Sequence, residues 1–206
     1  MIPKDYIEKP KRIESVGKIR CGFVRIYDEE GGEWCPPNKV GKVLSRSMMT
    51  PSLRYAGSPE EIKDAFVVVD GEEWFDEGLI GYKDEDGFVY LTGRTKEMII
   101  SGGVNIFSEE MERIIFKHPK VLDVGVIRAP DKDLGEVPAA VVQLKKGEKA
   151  TEEEMIEYSK KEGLYGYKVP RIVEFFEELP RLPDGKMLKR DLEKKYWEDR
   201  GIKRRG

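Results

Sequence analysis

The sequence predicts an α+β protein: a β-rich N-terminal segment followed by a small α+β domain with a three-stranded sheet and flanking helices. Two patterns point there. Up to Arg94, short apolar or alternating stretches are separated by strong turn signals. Beyond Arg94, apolar residues recur three to four apart between strand-like runs. The junction falls near residues 94–97 and divides the chain into 1–95 and 96–206.

The elements follow in order. Val16, Phe23-Val24, Ile26 and Val40 to Leu44 supply the first strands. Asp28-Glu29-Glu30-Gly31-Gly32 and Cys35-Pro36-Pro37-Asn38 turn the chain between them. Pro59 to Phe66 reads as a short helix capped by Ser58, with Ile62, Ala65 and Phe66 on one face. Asp84-Glu85-Asp86-Gly87 is a hairpin turn between Ile80-Gly81-Tyr82 and Phe88 to Leu91.

In the second half, Met98-Ile99-Ile100 is a short strand ending at Gly102-Gly103. Ser108 caps a helix whose apolar face is Met111, Ile114 and Ile115. Val121 to Ile127 and Val137 to Leu144 are strands joined through Pro130 to Asp133. Thr151 with Glu154 forms a capping box for a helix that stops near Gly163. Ile172 to Phe176 is a third strand, and a charged helix runs from about Leu188 to Trp197.

Composition excludes several function classes. With 37 basic and 40 acidic side chains the net charge is −3, which lacks the cationic footprint of non-specific nucleic-acid binding. The terminal Lys203-Arg204-Arg205 reads as a solvated helix end. No apolar run approaches the ~20 residues needed to cross a bilayer, so no membrane span is expected. The N-terminus has no basic patch leading into an apolar stretch, so no signal peptide is expected. Cys21 and Cys35 have no metal or redox spacing; a reduced, cytoplasmic setting is the simplest account, with a bridge between them left open. The only carboxamides are Asn38, Asn105 and Gln143, amid abundant Lys and Glu, a bias found in thermophile proteins.

Chemistry concentrates in two stretches. The first is Gly93-Arg94-Thr95-Lys96-Glu97-Met98-Ile99-Ile100-Ser101-Gly102-Gly103-Val104-Asn105-Ile106, followed by Glu110 and Glu112. The second is Leu179-Pro180-Arg181-Leu182-Pro183-Asp184-Gly185-Lys186-Met187-Leu188-Lys189-Arg190. Between and before them come Ser15 to Lys18, Trp74-Phe75, Gly81-Tyr82, His118-Pro119, Gly135-Glu136 and Tyr167 to Pro170. In this order, from residue 15 to residue 198, the chain resembles the C-terminal part of the acyl-adenylate-forming superfamily, in its AMP-forming acyl-CoA synthetase branch of fatty-acyl and aryl-CoA ligases.

That resemblance implies roles. Residues 1–95 would be the β-rich remnant of a large adenylating domain, a partial β-barrel subdomain, and residues 96–206 a mobile lid. Lys186 would be the catalytic lysine, a point cation that offsets the repulsion when a carboxylate attacks the ATP α-phosphate. Arg94 would contact the nucleotide ribose. Lys96 would occupy the hinge, where a few residues absorb the φ/ψ change. Ser101, Gly102 and Gly103 would line the pantetheine tunnel of CoA, where a side chain would keep the backbone from a thin ligand. ATP or AMP and CoA are the implied cofactors of a complete enzyme. Magnesium is expected only from an N-terminal part, and no metal ligands are assigned in this chain. Glu110 and Glu112 read as structural or solvated, and the single histidine, His118, as a helix-terminus residue.

Two departures from the family matter. Its Ser/Thr/Gly-rich phosphate loop, its magnesium-holding glutamate motif and its acyl pocket are absent from this sequence. The aspartate that grips the ribose hydroxyls is replaced by Leu79, which cannot accept a hydrogen bond. Glu77, two residues earlier, would share its strand face. A piece of a longer enzyme, a separately encoded half and a remnant all fit. The expected function is therefore part of an ATP-dependent acyl-CoA ligase for a small carboxylic acid, fatty acid by its wording, with the N-terminal adenylating domain as partner. The alternative is a non-catalytic stand-alone lid that binds a partner protein or a CoA ester.

Overall fold

The computed structural model describes residues 9–19, 22–47 and 65–198. The chain divides into two compact units, Met1–Thr95 and Lys96–Gly206. Ser58, Ile62, Cys21 and the basic tail lie outside the described residues. The short helix expected to end at Phe66 is not continued there, because Phe66 opens a strand.

The first unit is a six-stranded antiparallel sheet. Its strands are β1 (Phe23–Asp28), β2 (Glu33–Trp34), β3 (Gly41–Arg46), β4 (Phe66–Val69), β5 (Glu72–Lys83) and β6 (Val89–Arg94). They run in the order β2-β1-β3-β5-β4, with β6 also paired to β5. Leu44, Val69 and Trp74 form its core, bordered by Tyr27 and Trp34. The expected turn at Asp84 to Gly87 joins β5 to β6, and Asp84 accepts the Phe88 N–H at 2.8 Å. Gly81 is required where it stands. A Cβ there would lie 2.3 Å from the Tyr90 carbonyl oxygen, which belongs to the paired strand.

Strand β5 is not regular. Leu44 pairs with Asp76 but Lys42 pairs with Ile80, so residues 77–79 bulge between them. Gly78 takes φ +64°, and its N–H donates to Asp76 at 2.8 Å. The alternation that placed Glu77 and Leu79 on one face assumes an unbroken extended backbone, and Gly78 breaks it. Glu77 instead accepts a hydrogen bond from the Ser45 hydroxyl at 2.6 Å.

The second unit is α+β. Its strands are β7 (Ile99–Ser101), β8 (Val104–Ile106), β9 (Val121–Asp131), β10 (Gly135–Leu144) and β11 (Ile172–Phe176). Its helices are α1 (Ser108–Ile115), α2 (Glu152–Lys161) and α3 (Lys189–Glu198). The three expected strands are β9, β10 and β11, and a short β7–β8 hairpin joined through Ser101 and Gly135 widens the sheet to five. Strand β11 runs parallel to β10, which needs the crossover that α2 provides.

Both faces of this sheet are covered. Val124, Val126, Ala140 and Val142 meet Met111 and Ile115 of α1 and Met155 of α2. The alternate residues Ile127, Ala129, Ala139 and Val141 meet Leu192 of α3 and Leu179. Two buried faces explain why β9 and β10 read as nearly continuous apolar runs. Each fully buried Ile or Met contributes about 1.5–3 kcal/mol. Thr151 caps α2 as expected, accepting the Glu154 N–H at 3.2 Å. Ser108 does not cap α1. Phe107 holds the cap position, and Ser108 is the first helical residue, its hydroxyl turned to other partners.

Candidate functional site

Lys186 sits on an exposed hairpin between β11 and α3. Arg181 and Met187 bridge its ends, Leu182 N–H bonds the Lys186 carbonyl at 2.8 Å, and Gly185 turns the tip with φ +89°. Asp184 accepts the Lys186 N–H at 3.0 Å, a side-chain turn that fixes the peptide before the lysine.

Two anchors hold this hairpin on strand β9. Arg181 forms a forked pair with Asp123, and the same guanidinium donates to the Gly185 carbonyl. Met187 packs over Gly125, where a Cβ would lie 2.3 Å from the Met187 Sδ. Among the described residues no carboxylate pairs with the Lys186 ammonium. An exposed cation on a braced turn can be offered to an external anion without first breaking a bond.

Three residues on, Lys189 is in the opposite situation. Its ammonium reaches Glu97 and Glu112 at 2.7 Å each and the Ser108 hydroxyl at 3.1 Å. Burial alone would depress its pKa, but Glu112 and then Glu97 more than offset this and hold it above the ordinary lysine value. Burial raises neighbouring Glu109 above the usual carboxylate range.

Lys96 is exposed in a one-turn 3-10 segment, Thr95–Glu97. Arg94 ends β6, exposed, and lies directly opposite Leu79 on β5. Ser101, Gly102 and Gly103 form the β7–β8 turn, with Gly102 and Gly103 at φ +55° and +83°. Ser101 is buried, and its hydroxyl has no hydrogen-bond partner among the described residues. A Cβ on Gly102 would meet Leu134 at 3.2 Å and the Tyr167 ring at 3.6 Å, whereas Gly103 faces open space. Glu136 steadies this turn by accepting the Ile100 N–H at 2.9 Å.

The structure therefore brings Lys186, Lys189 and Glu97 into one connected region of the second unit. Sequence reading missed Lys189, Asp123 and Leu134 because their partners lie far away along the chain. Glu110 pairs with Lys168, and Glu112 with Lys189, in keeping with structural roles. His118 lies in the turn that follows α1, three residues past its last helical residue, buried against the Tyr158 ring. Cys35 carries a free thiol, half-buried, its pKa pushed up by burial. No group of His, Cys, Asp or Glu among the described residues is arranged to hold a metal ion. No helix among them is long and apolar enough to cross a membrane.

Comparison with known proteins adds a family context. Residues 110–186 match the family described as AMP-binding enzyme C-terminal domain. The chain is 39% identical over 191 residues to a long-chain-fatty-acid–CoA ligase of Bacillus subtilis, covering 91% of this chain and 33% of that protein. It is 38% identical to a 2-succinylbenzoate–CoA ligase of Bacillus cytotoxicus, covering 80% of this chain and 32% of that one. In structure it resembles o-succinylbenzoate CoA synthetase of Bacillus subtilis, solved with its acyl-adenylate intermediate. The TM-score is 0.77 at 31% identity, over 93% of this chain and 37% of that one. The chain thus spans about a third of the length of the curated relatives it matches.

Proposed function

We propose, for a chain that carries the C-terminal domain of AMP-binding enzymes in residues 110–186, that it serves as the lysine-bearing part of an AMP-forming acyl-CoA ligase. The complete enzyme joins a carboxylic acid to ATP, forming acyl-AMP and releasing pyrophosphate. It then transfers the acyl group to the thiol of CoA and releases AMP. Lys186 acts in the first step, where its ammonium offsets the charge gathering on the α-phosphoryl group. The observation that carries this reading is the exposed Lys186 on a hairpin braced from β9, its charge unclaimed among the described residues.

Other features support the assignment. Arg94 closes β6 with its side chain exposed, available to a ribose. Lys96 lies in a one-turn segment, short enough to act as a hinge. The Ser101 to Gly103 turn suits a thin ligand such as pantetheine. It has a buried hydroxyl without a hydrogen-bond partner among the described residues and, at Gly103, no Cβ to narrow the approach. The partner in this reading is an N-terminal adenylating domain that supplies the phosphate loop, the acyl pocket and the magnesium ligands. The substrate is a carboxylic acid, with a fatty acid proposed from the Ser-Gly-Gly-Val-Asn-Ile wording.

The test is acid-dependent ATP–pyrophosphate exchange by this chain combined with an N-terminal half from a related ligase. Exchange should appear only in the mixture, and Lys186→Ala should lower it by about a hundredfold or more while leaving the fold intact. Unchanged exchange in the variant would remove Lys186 from the chemistry. A second reading is favoured by Leu79, which lacks the acceptor that grips a ribose. Here the chain is a stand-alone lid that binds a CoA ester or a partner protein. Calorimetric binding of an acyl-CoA by the chain, with no exchange in any mixture, would favour this second reading.

A further inference from the structure

We infer that Lys189 is a positioning residue that locks the hinge turn to the Lys186 hairpin, so that the two move as one body. The inference rests on the reading of Lys96 as hinge and Lys186 as the reacting cation.

Lys189 begins α3, directly after the hairpin, and the Leu188 N–H still bonds the Pro180 carbonyl at 2.9 Å. Its side chain runs back to the start of the unit. It meets Glu97, the neighbour of Lys96, at 2.7 Å, and Glu112 of α1 also at 2.7 Å. With the Ser108 hydroxyl at 3.1 Å, three acceptors match the three N–H bonds of an ammonium. Three acceptors split between the hinge turn and α1 suit a compact point charge better than a planar guanidinium fork.

The network continues beyond the lysine. Glu112 also accepts the Val126 N–H from β9 at 2.7 Å. The same strand presents Asp123, which grips Arg181 in the hairpin. The hairpin is therefore tied to the hinge turn by Lys189 and to the sheet by Arg181. The side chains of Lys189, Glu97 and Glu112 are only 18%, 29% and 21% exposed. Separating residue 97 from residue 189 would strand mostly desolvated charges of both signs. A rotation at Lys96 is thus passed to Lys186 instead of being absorbed between them.

Hydrogen exchange on the full chain tests this without any activity. Lys189→Met removes the charge and keeps the stem; Glu97→Gln cuts only the link to the hinge turn. In each variant, amides of residues 98–106 and of 180–188 should both exchange about tenfold faster, while β9 and β10 stay protected. The double variant should be no faster than Lys189→Met alone, because both changes cut one link. Lys189→Arg, which keeps the charge but fixes its donors in a planar fork, should restore only part of the protection. Acceleration confined to one segment, additive effects, or loosening spread through β9 and β10 would each overturn the coupling. Should the Lys189 variants fail to fold, Glu97→Gln decides alone: acceleration at 180–188 supports the link and its absence sinks it. Pyrophosphate exchange by the reconstituted pair is a separate arm. If the unaltered pair lacks it, the ligase reading fails while the exchange-protection result still judges the coupling.

Discussion

Arg181 forks onto Asp123, with Nε to Oδ2 at 2.8 Å and Nη2 to Oδ1 at 2.7 Å. The guanidinium also donates to the Gly185 carbonyl, so one side chain joins a β9 carboxylate to the peptide just before Lys186. Lysine cannot reproduce two parallel donors and a third bond. Because Arg181 is 39% exposed, Arg181→Lys should cost global stability about 1 kcal/mol or less. Its effect on the hairpin should be larger. In a reconstituted ligase the variant should lower kcat for pyrophosphate exchange about tenfold, with little change in KM for ATP, as misplacement of a catalytic group does. An equal loss in Asp123→Asn would support the anchor; a KM effect without a kcat effect would count against it.

Leu79 faces Arg94 across the β5–β6 pair. Directly opposed side chains in an antiparallel pair lie within interaction distance. Leu79→Asp places an acceptor beside the guanidinium, where the family's ribose-gripping aspartate would stand. If a nucleotide is held here, the variant should lower the KM for ATP in the reconstituted enzyme by about tenfold, or 1.4 kcal/mol. Arg94→Ala should erase that gain. An unchanged KM would mean that this strand pair does not meet the ribose.

His118 is the single histidine, and it is buried. Burial pushes its pKa below the ordinary value; Glu154 pulls it up and Lys120 pushes it down, and the net direction is down. A depressed folded pKa means that the unfolded chain binds a proton first as pH falls. The contribution to stability is therefore present above about pH 6.5 and is lost as pH drops through the folded value. Glu154 is itself depressed, chiefly by its hydrogen bond to Lys120, and titrates at lower pH, so the windows separate. An NMR titration of the imidazole should give a midpoint below 6.5, and denaturation series should show stability declining from that pH downward. A midpoint at or above 6.5 would contradict the burial argument.

Local pattern already specified much of this molecule. The short apolar stretches of β1 and β3, the Asp84 to Gly87 turn, the Thr151 cap, the three- and four-residue spacing of α1 and the Lys186 turn are written within a few residues of themselves. Short-range sterics and hydrogen bonds act on neighbours, so such features are legible in one dimension. The Gly78 bulge was not, because it is visible only in the slipped register between β3 and β5. Nor was the true start of α1, since the Ser108 hydroxyl is drawn toward Lys189 from another element.

The sequence by itself determined most strands and helices of the second unit, the Asp84 to Gly87 turn, and which lysine stands on an exposed glycine turn, but not β2, β4 or β8. Only the tertiary structure decided which charges meet: Arg181 with Asp123, Lys189 with Glu97 and Glu112, Leu79 opposite Arg94. The reason is physical. A charge carries no label for its partner, and the pairing is chosen when apolar faces of distant segments pack and bring desolvated groups within about 3 Å, the distance at which an ion pair forms.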